Sequence, residues 1–301
     1  MQNITLLILC LLIGVALRRF ARVPENAHLA LNGFIINVAF PALVLTQVHD
    51  LHLSRSLAFP VLMPWLLFAT GAGAFWLLAR YFQLSAPQTG ALMLTGGLGN
   101  TSFMGLPMLE AFYGSREVAT GILIDTLGTY LVLSTLGITV ASVYSHGATD
   151  LRSVIRRVIT FPPLIAVLAA AVLMNVQYPP LVTQVLARLG ATLAPLALVS
   201  IGLQIRASAW RGNRAALAVG LGYKLLVAPA AIALLYVGLL QMSGTHVRAT
   251  VLEAGMGPQI GAAIVASQYG LAPELVTLMV GVGTLLAFLT LPCWWALLSI
   301  A

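Results

Sequence analysis

The chain has 301 residues, of which 60% are hydrophobic and only 8% are charged. A soluble globular domain carries about 25% charged residues, so this composition cannot build a water-facing surface. At about 20 apolar residues for each crossing of a hydrocarbon core, the length suffices for about ten transmembrane helices and leaves no room for a soluble domain. We therefore predict an all-helical integral membrane protein in contact with the lipid bilayer.

Charge, cysteines and motifs exclude further classes of protein. A net charge of +7 would suggest a nucleic-acid partner for a soluble protein, but here the cationic residues flank apolar stretches and indicate topology, so no nucleic acid is expected. Cys10 and Cys293 lie in apolar segments at opposite ends of the chain and predict neither a disulfide framework nor a metal site. Common phosphate-loop, hydrolase and metalloprotease motifs do not occur, so we expect no enzyme, no catalytic residue and no resident cofactor.

Ten apolar stretches follow one another with short connections. They cover residues 3–21, 28–48, 57–82, 86–113, 117–144, 153–176, 181–205, 214–240, 246–270 and 274–299. The loops that join an odd-numbered stretch to the next even-numbered one carry ten arginines: Arg18, Arg19, Arg22, Arg80, Arg152, Arg156, Arg157, Arg206, Arg211 and Arg214. The opposite side carries three: Arg55, Arg116 and Arg248. By the positive-inside rule the first group is cytoplasmic, which predicts a multi-pass protein with both termini outside.

The second half of the chain resembles the first. Pro41 and Pro195 lie in similar apolar segments, and a glycine pattern in span 4 recurs in span 9 at nearly the same offset. Because each half holds five spans, an odd number, the second half would be inverted relative to the first, as in many secondary transporters. We predict repeats at 1–147 and 148–301, with chance similarity between apolar segments as the alternative.

Spans 4 and 9 each carry glycine and proline near their middle. Glycine disfavours a helix by about 1 kcal/mol and proline by about 3 kcal/mol, so both spans are predicted to unwind. The residues at these breaks are Gly97, Gly99, Pro107, Gly255, Gly257 and Pro258. Two broken helices that cross near the membrane midplane can point their N-terminal ends at an anion and their freed carbonyls at a cation. The alternative, that the glycines only allow close helix packing, leaves the polar residues at the same depth unexplained.

Those polar residues are the candidate site. The substrate-binding candidates are Asn100, Thr101, Ser102, Pro258 and Gln259, with Asn37 facing them from span 2. The ion-coupling candidates are Asn100, Asp125, Thr129 and Glu253, whose oxygens suit Na⁺ or H⁺. For Glu253 the alternative is a structural partner of a buried cation. Hydrogen bonding between helices is an equal alternative for Asn37. For Lys224, pairing with a buried acid and extension to the membrane surface are equal alternatives.

Three segments of the chain carry distinctive glycine-, proline- and polar-residue motifs. They are Gly-Asn-Thr-Ser-Phe-Met-Gly-Leu-Pro at 99–107, Gly-Pro-Gln at 257–259 followed by Ala-Ser-Gln-Tyr-Gly at 266–270, and Phe-Pro-Ala-Leu at 40–43. Together they resemble the auxin efflux carrier family, in its bacterial branch of malonate- and malate-type permeases. The resemblance implies ten helices in two inverted five-helix repeats, with helices 1, 2, 6 and 7 as a panel and helices 3–5 and 8–10 as a transport core. It also implies an elevator movement of the core and a homodimer through the panel.

A more distant resemblance concerns ions. The two glycines at 96–97 before Asn100, and Glu-Ala-Gly at 253–255, are similar to segments of helices 4 and 9 in the bile acid:sodium symporters. That resemblance implies sodium at the crossing. Gln259 stands two positions later than the symporter pattern expects. This departure argues against one of that family's two sodium sites.

These features predict a secondary active transporter that moves a small organic anion, a carboxylate of auxin, malonate or malate type, across the bacterial cytoplasmic membrane. A sodium- or proton-coupled symporter of another small solute and a membrane sensor without transport are the alternatives. A channel would need a continuous polar path, whereas the polar residues here cluster at one depth. An intramembrane aspartyl enzyme would need a second aspartate at the depth of Asp125, and the other two, Asp50 and Asp150, are predicted to lie in loops.

Overall fold

The computed structural model describes residues 2–49, 58–114, 117–145, 152, 155–156, 159–173, 176–204 and 209–300. These residues form helices joined by turns: α1 (Gln2–Arg19), α2 (27–49), α3 (Ala58–Tyr81), α4a (Ala86–Gly97), α4b (101–113), α5 (118–144), α6 (Pro162–Val172), α7 (180–204, with a turn at Thr192), α8 (209–239), α9a (Thr245–Ala254), α9b (Ile260–Gln268) and α10 (Pro273–Ile300). Outside the described residues lie the predicted boundary between repeats at 147 and 148, parts of span 6, and Asp50, Arg55, Arg116, Asp150, Arg157 and Arg206.

Six of the described helices are long and apolar enough to cross a membrane. They are Ala27–Thr46, Ala58–Tyr81, Thr120–Tyr144, Pro180–Leu203, Gly212–Leu239 and Pro273–Ser299. The halves of α4 and α9 are too short to do so alone, because the 12 residues of α4a rise about 18 Å against a core about 30 Å thick. The described residues therefore form an all-helical structure with six helices that could span a membrane, and ten spans in two inverted repeats stay a prediction.

Helices α2, α4b, α5 and α8 contain wider, π-helical turns, and three of these turns end two residues before a proline. The prolines are Pro41, Pro107 and Pro229. A proline has no N–H to donate, so the helix can widen ahead of it without losing a further hydrogen bond. The prediction that Pro107 lies in the break of span 4 is thereby corrected: it lies inside α4b, directly after the wide turn Thr101–Gly105.

The helices pack in two groups. Helix α1 lies along the second half of α7, while α2 packs against α6 and against the first half of α7. In the other group α3 packs on α4a and α5, α8 packs on α10, and α9b contacts both α4a and α10. The breaks in α4 and α9 therefore lie within the second group.

Helices α1 and α7 approach each other closely because glycines face one another. A Cβ atom at Gly14 would meet the Val199 carbonyl, and a Cβ atom at Gly202 would meet the Leu11 carbonyl and lie 2.9 Å from the Gly14 Cα. Small residues of this kind let helix backbones pack against each other in membranes. The contact leaves no space for a side chain at either glycine.

We predict that Gly202→Val destabilises the protein, because the new side chain must separate α1 from α7. The expected cost is about 1–3 kcal/mol, the range for overpacking, measured as a lower midpoint of thermal unfolding in detergent. Gly33→Ala is the matched control, since nothing lies within 4 Å of a Cβ placed there. Equal midpoints for the two variants would contradict the packing argument.

Candidate functional site

The breaks in α4 and α9 are hydrogen-bonded to each other through their backbones. The Asn100 N–H donates to the Gly257 carbonyl at 2.8 Å, and the Gln259 N–H donates to the Leu98 carbonyl at 3.1 Å. The two bonds flank an isolated antiparallel bridge between residues 99 and 258. Residues 89–102 and 249–266 are all buried, so these bonds satisfy polar groups that have no access to water. Each break is the other's hydrogen-bonding partner.

The half-helices α4b and α9b both begin at this crossing, but only α4b is capped by a side chain. Asn100 Oδ1 accepts a hydrogen bond from the Phe103 N–H at 3.2 Å, whereas Gln259 makes no capping bond. Asn100 Nδ2 and Gln259 Oε1 are buried and have no hydrogen-bond partner among the described residues. The amide of Asn100 thus keeps a free donor where a helix N-terminus carries partial positive charge, an arrangement that favours an anion.

Behind the start of α4b lies a cluster of hydroxyl groups around a buried carboxyl. The Thr101 hydroxyl donates to Asp125 Oδ1 at 2.6 Å and lies 3.0 Å from the Thr129 hydroxyl. Asp125 and Thr129 are four residues apart on α5 and share one face of that helix. Asp125 Oδ2 is buried without a partner among the described residues. The cluster offers oxygen ligands of the type that bind Na⁺, and the carboxylate of Asp125 can instead bind H⁺.

Glu253 occupies the last turn of α9a and is fully buried. Neither of its carboxylate oxygens has a hydrogen-bond partner among the described residues. Two glycines make room for the carboxylate: a Cβ atom at Gly105 would lie 2.5 Å from both oxygens, and one at Gly121 would lie 3.4 Å from Oε1. The carboxylate of Glu253 therefore points toward α4b and α5, the helices that carry Thr101 and Asp125.

The structure brings most of the predicted site together. Asn100, Gln259 and Pro258 form the crossing itself, and Ser102 lies behind it with its hydroxyl 3.4 Å from that of Tyr130. Asn37 is different, because its side chain is exposed and donates to the Gly33 carbonyl of its own helix at 2.8 Å. The described contacts therefore give no support to the prediction that Asn37 faces the site.

Sequence reasoning missed several neighbours of the site. Tyr130 was not singled out, although it follows Thr126 by one turn on the polar face of α5. For Lys224 the sequence does not distinguish a buried position from one at the membrane surface. The structure places its Nζ 2.8 Å from the Ala254 carbonyl at the crossing, with no exposed surface. Glu117, which directly precedes α5, is buried and accepts hydrogen bonds from the Thr120 hydroxyl and His246 Nδ1, each at 3.0 Å.

A family profile described as membrane transport protein matches the chain twice, at residues 1–149 and at residues 148–295. The chain belongs to this family. It is the auxin efflux carrier family that the motifs indicated, so that prediction is confirmed. The match covers nearly the whole chain and assigns the protein to membrane transport.

Two relatives are similar over their full length. An uncharacterized transporter of Methanothermobacter thermautotrophicus is 29% identical over 299 residues, which are 97% of this chain and 96% of the relative. An uncharacterized transporter of Methanocaldococcus jannaschii is 24% identical over 309 residues, with 99% of each chain covered. Both organisms are archaea, so the expected bacterial membrane stays a prediction.

We predict that Thr101→Val destabilises the protein, because it removes the hydroxyl that donates to the buried carboxyl of Asp125. An unsatisfied buried acceptor costs about 1–3 kcal/mol, which thermal unfolding in detergent can detect. Thr101→Ser retains the hydroxyl and should unfold close to the wild type. If the valine and serine variants unfold at the same temperature, the hydrogen bond contributes nothing measurable.

Proposed function

We propose that the protein is a secondary active transporter of a small organic anion, and that the anion binds where α4b and α9b begin. The observation that carries the proposal is the buried backbone crossing, which brings two half-helix N-termini together inside the protein. Membrane transporters use interrupted helices in this way, with the N-terminal ends directed at anionic groups of the substrate. Membership in a transport family supports the same conclusion.

The substrate class follows from the donors at the crossing. A carboxylate accepts hydrogen bonds from N–H and O–H groups, and Asn100 Nδ2 is a buried donor without a partner among the described residues. Ser102 and the first N–H groups of α9b add donors. These donors favour a carboxylate, and the resemblance to the auxin efflux carriers points to one of auxin, malonate or malate type.

The movement that we propose is of the elevator type. Helices α1, α2, α6 and α7 would form the static panel and the homodimer contact, while α3–α5 and α8–α10 would carry the anion across the bilayer. The packing of the helices into these two groups supports the division. Both termini would lie outside, and the repeats would divide near residue 147.

Ion coupling is proposed at Asn100, Asp125, Thr129 and Glu253. Buried carboxyl groups are costly in a membrane protein and are functional candidates by default. Asp125 and Glu253 together leave three carboxylate oxygens without partners in the described part of the chain. Na⁺ and H⁺ are the two candidate ions, and the experiments below separate them.

Solute flux is the direct test of transport. Purified protein in liposomes loaded with unlabelled malonate, malate or indole-3-acetate should take up the matching labelled anion by counterflow. Asn100→Ala should lower this uptake at least about tenfold, the effect of losing one hydrogen bond to a charged group. Asn26→Ala is the matched control, because Asn26 is exposed and makes no side-chain capping bond.

Absence of counterflow for every carboxylate tested would contradict the proposed substrate class. Uptake that Asn100→Ala leaves unchanged would contradict the proposed site. Specific carboxylate binding without any flux would favour the membrane sensor, which is the alternative function.

The coupling ion is tested by thermal unfolding in sodium chloride against choline chloride. An ion that binds only the folded protein stabilises it by about 2.7 kcal/mol at a hundredfold excess over Kd. If Na⁺ is the ion, sodium should raise the unfolding midpoint in the wild type and not in Asp125→Asn. If H⁺ is the ion, sodium should have no effect, and an imposed pH gradient should drive uptake in the wild type alone. If the wild type shows neither the sodium effect nor pH-driven uptake, coupling at these residues is contradicted.

A further inference from the structure

The end of α9a leaves one backbone carbonyl without its usual partner. In a continuous helix the Ala254 carbonyl would accept a hydrogen bond from the N–H of residue 258, but residue 258 is proline and has none. The carbonyls of Leu252 and Glu253 are already bonded to N–H groups of the turn that follows. The Ala254 carbonyl therefore needs a donor from elsewhere in the protein, because water does not reach it.

Lys224 supplies that donor from a different helix. It lies in the wide turn Tyr223–Val227 of α8, is fully buried, and donates from Nζ to the Ala254 carbonyl at 2.8 Å. Gly99 on the crossing partner makes room for the ammonium group, since a Cβ atom there would lie 3.0 Å from Nζ. The ammonium group of Lys224 is thus in contact with both broken helices.

A buried ammonium group is too costly to serve only as a hydrogen-bond donor, since any neutral donor would satisfy a carbonyl. The electrostatics of the position favour the charged form. The C-terminal end of a helix carries partial negative charge, and α9a ends here. Glu253, the residue before Ala254, adds a buried carboxylate. Half-helix ends and unwound carbonyls of this kind are where membrane transporters bind a free coupling cation.

We infer that Lys224 is a fixed internal cation, which takes the place of a free ion at the C-terminal end of α9a. The position then has a permanent occupant that cannot exchange with the solution on either side of the membrane. Any transported ion must be held elsewhere, on the side of the crossing that carries Asp125. The inference uses no property of the transported substrate, so it stands or falls separately from the proposed function.

The test removes the ammonium group of Lys224 by mutation and adds small cations to the solution in its place. Lys224→Ala removes the ammonium group and leaves space where it stood. Its midpoint of thermal unfolding in choline chloride should fall by at least about 5 °C relative to the wild type. Ammonium, methylammonium or sodium chloride at the same ionic strength should restore at least half of that loss. Restoration is measured as the difference in midpoint between the variant and the wild type in the same salt, because sodium bound near Asp125 would shift both proteins alike.

Lys224→Met is the matched control, because its uncharged side chain fills the space of the lysine stem and narrows the access that Lys224→Ala opens. It should be destabilised like the alanine variant, and no small cation should restore it. An alanine variant as stable as the wild type in choline chloride, or one that no cation restores, would overturn the inference. Equal restoration of the alanine and methionine variants would also overturn it, since it would indicate a general salt effect.

A second pair of variants covers the case in which Lys224→Ala does not fold. Removal of the fixed cation leaves the carboxylate of Glu253 buried without compensation, so Glu253→Gln should raise the unfolding midpoint of Lys224→Met. In the wild-type background Glu253→Gln should not raise it. If Glu253→Gln lowers the midpoint equally in both backgrounds, the ammonium and the carboxylate are not coupled, and the inference fails. None of these measurements requires a transport substrate.

Discussion

Every backbone N–H and C=O that a helix break exposes inside a membrane must find a partner within the protein. Here the two breaks satisfy each other through the bonds from Asn100 to Gly257 and from Gln259 to Leu98. The carbonyl that Pro258 leaves unpaired is satisfied by a lysine from a third helix. Neither break could exist alone at this depth, so α4, α8 and α9 are held together by the same requirement. The rest of the site is built on that junction.

The charged groups at the junction are difficult to explain as structural elements. Asp125, Lys224 and Glu253 have no exposed surface. The free energy that a buried charge loses with its hydration can exceed what it gains by attraction to its partners. Well-packed apolar side chains of similar volume are often at least as stabilising as a buried ion pair. Glu253 moreover has no hydrogen-bond partner among the described residues, so the charge of Lys224 on the neighbouring helix is left to compensate its buried carboxylate. A functional requirement accounts for such a group better than a requirement of the fold.

The sequence predicts the breaks and the polar cluster well because both depend on local rules. Glycine and proline disfavour helix wherever they occur, and Asp125 and Thr129 share a face by helical periodicity alone. Pro107 was misplaced because a proline can also be accommodated by a wide turn, which composition does not distinguish from a break. The partner of Lys224 depends on how α8 packs against α9, a tertiary property. One local signal was nevertheless readable: a proline four residues after Ala254 leaves a carbonyl that needs a donor.

The same hydrogen bonds constrain how an alternating-access movement could occur. Motion within the junction would break buried backbone bonds, whereas the ring of Phe40 on α2 contacts α5 and α9b without any hydrogen bond from that ring. The ring centroids of Phe40 and Tyr130 lie 4.7 Å apart, and a Cβ atom at Gly261 would lie 3.2 Å from the ring of Phe40. Apolar surfaces can slide past each other without leaving donors unpaired, because their attraction is non-directional. A transport movement would therefore cost least if α4, α8 and α9 moved as one body and the displacement took place along α2.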